Sequence, residues 1–129
     1  MRITPKTIIH SIIWIKRHLI GQLKVSAISA IQQFIIPSDV CIDVGAHAGS
    51  WALPLSKLVY KGHVYAFEAL PYYSSVLNIA FYLLQRKNIT ILNNAVVDCN
   101  RPVRLVWKDK NGNRLTGKTH VAGEKEKTF

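Results

Sequence analysis

The side chains with the clearest chemical use are Asp43, Gly45, Gly49 and Glu68. Asp43-x-Gly45-x-x-x-Gly49 overlaps and leaves the apolar run Val40-Cys41-Ile42-Asp43-Val44, and Glu68 closes the next such run, His63-Val64-Tyr65-Ala66-Phe67-Glu68. In an open parallel sheet, ligands bind beyond the carboxyl ends of the strands, where glycines let the backbone approach and a helix start offers free N–H groups. An acid at the end of the second strand, 19 residues past Gly49, is placed to accept hydrogen bonds from both ribose hydroxyls of an adenosine cofactor. Asp43, just ahead of the glycine turn, either orients the loop or meets a cationic group of the ligand.

Two cofactor classes share this layout. A dinucleotide site calls for G-x-G-x-x-G against a pyrophosphate, whereas this loop has Gly45 and Gly49 with His47 and Ala48 between them. The missing glycines count against NAD. S-adenosylmethionine needs no pyrophosphate cradle, and an acid just before the first glycine suits its ammonium group. His47 is expected to be a loop residue rather than a general base, because a base must reach the acceptor proton. His10, His18, His63 and His120 have no metal-ligand spacing with Cys or acids, so no metal site is expected.

The elements that must hold this site are read from periodicity. Strands are expected at 40–44, 63–68 and 89–96, with helices at 51–59 and from Pro71 to about Arg86, bounded by Lys61-Gly62 and Asn88. Parallel strands joined by right-handed helical crossovers are the favoured topology for that order. Two helical patterns precede it. The first carries Ile8, Ile9, Ile12, Ile13, Ile15, Leu19 and Ile20 behind a Thr4-Pro5 start, and the second runs up to Pro37. Both are expected to pack their apolar faces. The alternative is a membrane-surface or partner-binding helix, since Trp14 beside Lys16 and Arg17 resembles an interfacial anchor. Past Val97, residues 103–107 alternate at strand period, and Asn111-Gly112 favours a tight turn, so a β-hairpin is expected. The resulting division is a helical segment 1–37, a cofactor-binding domain 38–115 and a frayed polar tail 116–129.

Composition bounds the rest. A chain of 129 residues that is 49% hydrophobic and 19% charged fits one globular core. No stretch is apolar enough for a membrane span, and Cys41 and Cys99 are too few for a disulfide framework, so a cytoplasmic protein is expected. The formal charge is +10, and it sits at the ends. Residues 1–38 hold five Lys/Arg and no acid, residues 39–100 hold four of each sign, and residues 101–129 hold eight basic and three acidic side chains. Charged ends of this kind keep a protein soluble, or else draw it to nucleic acid or an anionic membrane.

Val40-Cys41-Ile42-Asp43-Val44-Gly45-Ala46-His47-Ala48-Gly49-Ser50-Trp51, then Gly62-His63-Val64-Tyr65-Ala66-Phe67-Glu68-Ala69-Leu70-Pro71, then Asn93-Asn94-Ala95-Val96-Val97-Asp98 resemble the opening of FkbM-type S-adenosylmethionine-dependent methyltransferases. The family pattern runs D-x-G-A-N-x-G, then G-x-V-x-A-F-E-P-x-P. The resemblance covers residues 38–100 and implies an α/β, Rossmann-like class I methyltransferase fold. Here that means an incomplete parallel sheet with two N-terminal helices and a C-terminal β-hairpin. It also implies methyl transfer from S-adenosylmethionine, usually to a hydroxyl of a sugar, polyketide or other natural product. Carried over by position, it assigns Asp43, Gly45, Ala46, His47 and Gly49 to the cofactor loop, Glu68 to the ribose, and Asn94 or Ala95 to the vicinity of the adenine. His47 stands where Asn is usual and Ala69 where Pro is usual.

Family members continue with a fourth strand bearing a K-I-D-x-E-G-type motif, and nothing after Asp98 resembles it. The chain is therefore expected to be truncated, its catalytic residues unassigned, and its uncovered sheet edge open to self-association. A non-catalytic remnant that binds the cofactor weakly, and a basic nucleic-acid or membrane-surface module, are the competing readings.

Overall fold

The computed structural model describes residues 4–19, 25–98, 103–108, 111 and 120–121. Helix α1 (Pro5–Leu19) is followed by α2 (Val25–Ile31), which tightens into a 3-10 turn over Gln32–Phe34. Strand β1 (Val40–Val44), helix α3 (Ala52–Leu58), strand β2 (His63–Phe67), helix α4 (Pro71–Leu83) and strand β3 (Ile89–Leu92) come next, and β4 (Leu105–Val106) and β5 (His120–Val121) follow. The chain divides into two compact units, Met1–Val96 and Val97–Phe129, so α1 and α2 share a unit with the sheet.

In the first unit β1, β2 and β3 lie side by side in that order and parallel, as the alternating pattern predicts. The register runs from Val40 opposite His63 to Val44 opposite Phe67, and β3 continues it from Ile89 beside Val64 to Leu92 beside Phe67. Right-handed crossovers, the strong preference between parallel strands, put connecting helices on one face when they step in one direction. Leu53, Leu77, Ala80 and Phe81 accordingly pack with Ala66, while Leu55 and Val59 pack with Val64. The opposite face shows Val40, Ile42, Val44 and Tyr65 to solvent.

Helix α1 departs from expectation. Thr4 caps it through the amide of Thr7, as the Thr4-Pro5 start predicts. Yet the side chains it buries are Thr7, Ser11 and Trp14, whereas Ile8, Ile9, Ile12 and Ile13 are exposed. The reason is specific bonding to α4 and the glycine turn. The Ser11 hydroxyl donates to Thr7 O at 2.8 Å and also reaches Val76 O at 3.2 Å. The Trp14 indole N–H donates to Ala48 O, its ring meets Phe81 edge-on at 5.5 Å, and His10 Nδ1 bonds the Tyr72 hydroxyl. Trp14 is thus a core residue and not the interfacial anchor its neighbours suggested.

Helix α4 stops at Leu83, earlier than its apolar pattern, because Gln85 takes a left-handed conformation with φ +52°. The Arg86 amide then bonds Phe81 O and the Gln85 amide bonds Tyr82 O, which is a Schellman closure built on Gln where Gly is usual. In the second unit, β4 pairs antiparallel with β5. The partner strand therefore lies at His120–Val121, inside the stretch expected to be a frayed tail, and the expected Asn111-Gly112 turn lies mostly outside the described residues.

Candidate functional site

The carboxyl ends of β1 and β2 are tied together by the turn that follows β1. Gly45 has φ +78°, and its amide and that of Ala46 both donate to Phe67 O at 2.9 Å. The chain therefore bends over the end of β2 instead of extending β1. His47 follows with φ +44°, a region where non-glycine residues are uncommon and Asn, Asp and His are the favoured exceptions. Its amide donates to Glu68 Oε2 at 2.6 Å.

Glu68 is the centre of this arrangement. Its second oxygen, Oε1, accepts from the Leu70 amide at 2.8 Å, and its own amide donates to Leu92 O at 2.9 Å. Each carboxylate oxygen thus accepts one backbone N–H and keeps a further lone pair for another donor. The Asn93 side-chain amide donates to Glu68 O at 2.8 Å and Ala69 O at 3.1 Å, locking the segment after β2 to the end of β3.

Asp43 is buried on the last stretch of β1, only 9% exposed, and its Oδ2 has no hydrogen-bond partner among the described residues. Burial pushes its carboxyl above the ordinary aspartate range, the Ala52 amide opposes that shift, and the Glu68 charge adds to it. A buried acceptor without a donor is costly unless something supplies one. Nearby, a β-carbon placed on Gly45 would meet nothing within 4 Å. An orphaned carboxylate oxygen next to open backbone suits a ligand that brings a cationic N–H group, and the free lone pairs of Glu68 suit hydroxyl donors.

Asp43, Gly45, Ala46, His47 and Glu68 are brought together by this turn. Gly49 has a different setting: with φ +67°, it is buried, and a β-carbon there would stand 2.9 Å from Leu77 Cδ2 and 3.0 Å from Trp14 Cζ2. Its small size is required by packing against α1 and α4. Asn94 is exposed and Ala95 half-buried just past β3. Sequence reasoning passed over Asn93, whose bonds to Glu68 and Ala69 need the tertiary fold to be seen, and Tyr73, whose ring lies against that of His47 at 4.4 Å. The buried Nε2 of His47 has no hydrogen-bond partner among the described residues.

Among the described residues no helix is long and apolar enough to cross a membrane, and no group of three or more His, Cys, Asp or Glu side chains could hold a metal ion. A family model, the methyltransferase FkbM domain, matches residues 43–127. The match covers more than half of the chain and runs well past residue 100, where the motifs alone suggested that the likeness ends. No curated protein matches the chain.

Proposed function

The chain belongs to the FkbM methyltransferase domain family, and from that premise we propose that it binds S-adenosylmethionine at the ends of β1 and β2 and methylates a hydroxyl oxygen of a sugar or other natural product. The observation that carries the cofactor reading is the buried, unpartnered Oδ2 of Asp43 two residues before the open turn at Gly45. When bound, the cofactor supplies a methyl group activated by a sulfonium. Asp43 faces its ammonium group, Gly45, Ala46 and the His47 backbone line it, and the remaining lone pairs of Glu68 take the ribose hydroxyls. Asn94 and Ala95 border the adenine.

What the protein adds is positioning, since an in-line transfer depends on holding the acceptor oxygen close and aligned. No side chain is assigned as the base. His47 is engaged with Tyr73 and fixes Glu68 through its amide, which makes it part of the cofactor loop in this reading. The low cysteine count suits a reducing, cytoplasmic setting, which we include in this reading. Among the described residues β1 is an edge strand with an exposed apolar face, and we place self-association there.

The test is a thermal melt with S-adenosylhomocysteine, with NAD as control. At about a hundredfold excess over Kd, a ligand of the native state adds about 2.7 kcal/mol, so S-adenosylhomocysteine raises the midpoint and NAD does not. Glu68→Gln removes that rise and lowers the ligand-free midpoint, because its NH2 group replaces one of the two oxygens that accept the His47 and Leu70 N–H groups and sets donor against donor, a loss of about 1–3 kcal/mol. A midpoint indifferent to both ligands overturns the cofactor assignment. Binding without methyl transfer to any hydroxyl acceptor selects the non-catalytic reading.

A further inference from the structure

Helix α1 presents its isoleucines to solvent: Ile8, Ile9, Ile12 and Ile13 are 42%, 55%, 54% and 49% exposed. Residues at this spacing form one stripe along a helix. The stripe cannot be hidden by rotating the helix, because the opposite side is bonded down through Ser11 to Val76 O, Trp14 to Ala48 O and His10 to Tyr72. An apolar stripe of this kind, held outward by a polar underside, marks an interaction surface.

Charge decides what covers it. Lys16 continues the stripe one turn beyond Ile12 and Ile13, Lys6 borders it at the other end, and both are exposed. The whole segment 1–38 has five basic residues and no acid. A second copy of the same surface would meet like charge, which opposes pairing through α1. A nucleic acid would satisfy the lysines and leave the isoleucines in water. An anionic bilayer satisfies both at once: the isoleucines enter the boundary between headgroups and acyl chains, while the lysine stems run along the apolar surface and their ammonium groups stay among the phosphates.

We propose that α1 is an interfacial helix that seats the methyltransferase domain on an anionic membrane surface through Ile8, Ile9, Ile12 and Ile13, flanked by Lys6 and Lys16. The inference does not depend on the cofactor assignment. It gives α1 a reason to bury Thr7 and Ser11 inside and keep its isoleucines outside.

The experiment is co-flotation of the full chain with phosphatidylcholine vesicles, with and without about a quarter phosphatidylserine. The chain binds the anionic vesicles, binds the neutral ones far less, and is released as salt rises from about 0.1 M to about 1 M, where the Debye length shrinks from about 10 Å to about 3 Å. The double substitution Ile9→Asp and Ile12→Asp weakens binding to anionic vesicles at least about tenfold. Its melting midpoint stays near the wild-type value, because both side chains are exposed and belong to neither core cluster. Lys6→Glu with Lys16→Glu weakens binding to anionic vesicles alone. Three results overturn the proposal: no binding to anionic vesicles, vesicle binding unmoved by the aspartates, or tighter binding to duplex DNA that the aspartates leave intact. A wild-type dimer that the aspartates convert to monomer would also overturn it, in favour of a second copy as the occupant.

Discussion

Replacing Asp43 with Asn raises the melting midpoint of the ligand-free protein at neutral pH and weakens S-adenosylhomocysteine binding about ten- to a hundredfold, the size expected for one lost charge-assisted hydrogen bond. The two effects have opposite signs because the same burial causes both. The carboxyl is held above its ordinary value of 3.8 by desolvation, with a further contribution from the Glu68 charge, and the Ala52 amide offsets only part of this. In the window between the unfolded and the raised folded value, the native state keeps a proton that the unfolded chain has lost. Stability therefore falls as pH rises through that window and stays lowered above it. Asn keeps an acceptor oxygen for the Ala52 amide and carries no charge, so the gap between variant and wild type opens from acid to neutral pH and is flat beyond. Ligand affinity runs the other way: a cationic partner needs the ionised carboxylate, so wild-type affinity climbs with pH through the folded value. Paired melts from about pH 3 to pH 8 with ligand titrations read both. A variant that melts below wild type at neutral pH would show that the Ala52 bond outweighs desolvation. An unchanged affinity would remove Asp43 from the ligand.

The strand–helix–strand–helix–strand core was legible because each of its signals is local. β-rich runs, apolar spacing and the Gly45 and Pro71 breaks place β1 to β3, α3 and α4 with shifts of only a few residues at most ends. Strand β3 is shorter than its apolar run, since the Asn93 side chain turns away to bond Glu68 O and Ala69 O. What periodicity cannot supply is which way a helix faces. The isoleucines of α1 recur like a core stripe, and only the bonds of Ser11 and Trp14 to residues distant in sequence show that the other side is the inside.

The candidate site divides along the same line. Asp43, Gly45 and Glu68 were readable from residue type and their place at strand ends. Gly49 has the same chemical signature as Gly45, but its neighbours are Leu77, Trp14 and Phe81, which no spacing within the loop reveals. Asn93 and Tyr73 act on residues 20 or more positions away, and a side chain's partner at that separation is set by the fold.

Gly62→Ala destabilises the first unit by about 3 kcal/mol, the upper part of the range for overpacking a tight site, and lowers the midpoint by more than about 10 °C. Sequence reading gives Gly62 the role of ending α3. Its neighbours give it a larger one. A β-carbon there would overlap Asp39 O, far closer than van der Waals contact allows, and stand 2.8 Å from the carbonyl carbons of Asp39 and Ser38. All three are backbone atoms, so no flexible side chain can move aside. Asp39 O also accepts the His63 amide at 3.1 Å, and the Lys61 amide bonds Pro37 O at 2.9 Å, so relief requires opening the first rung between β1 and β2. Gly45→Ala is the contrasting exchange: it meets open space and costs about 1–2 kcal/mol through its positive φ alone. A Gly62→Ala chain melting as high as Gly45→Ala would refute the close-approach argument. The damage also reaches the site, because the register begun at Val40 and His63 ends at Val44 and Phe67, and Phe67 O holds the amides of Gly45 and Ala46. Gly62→Ala therefore weakens S-adenosylhomocysteine binding from the far end of the strands, without touching the ligand.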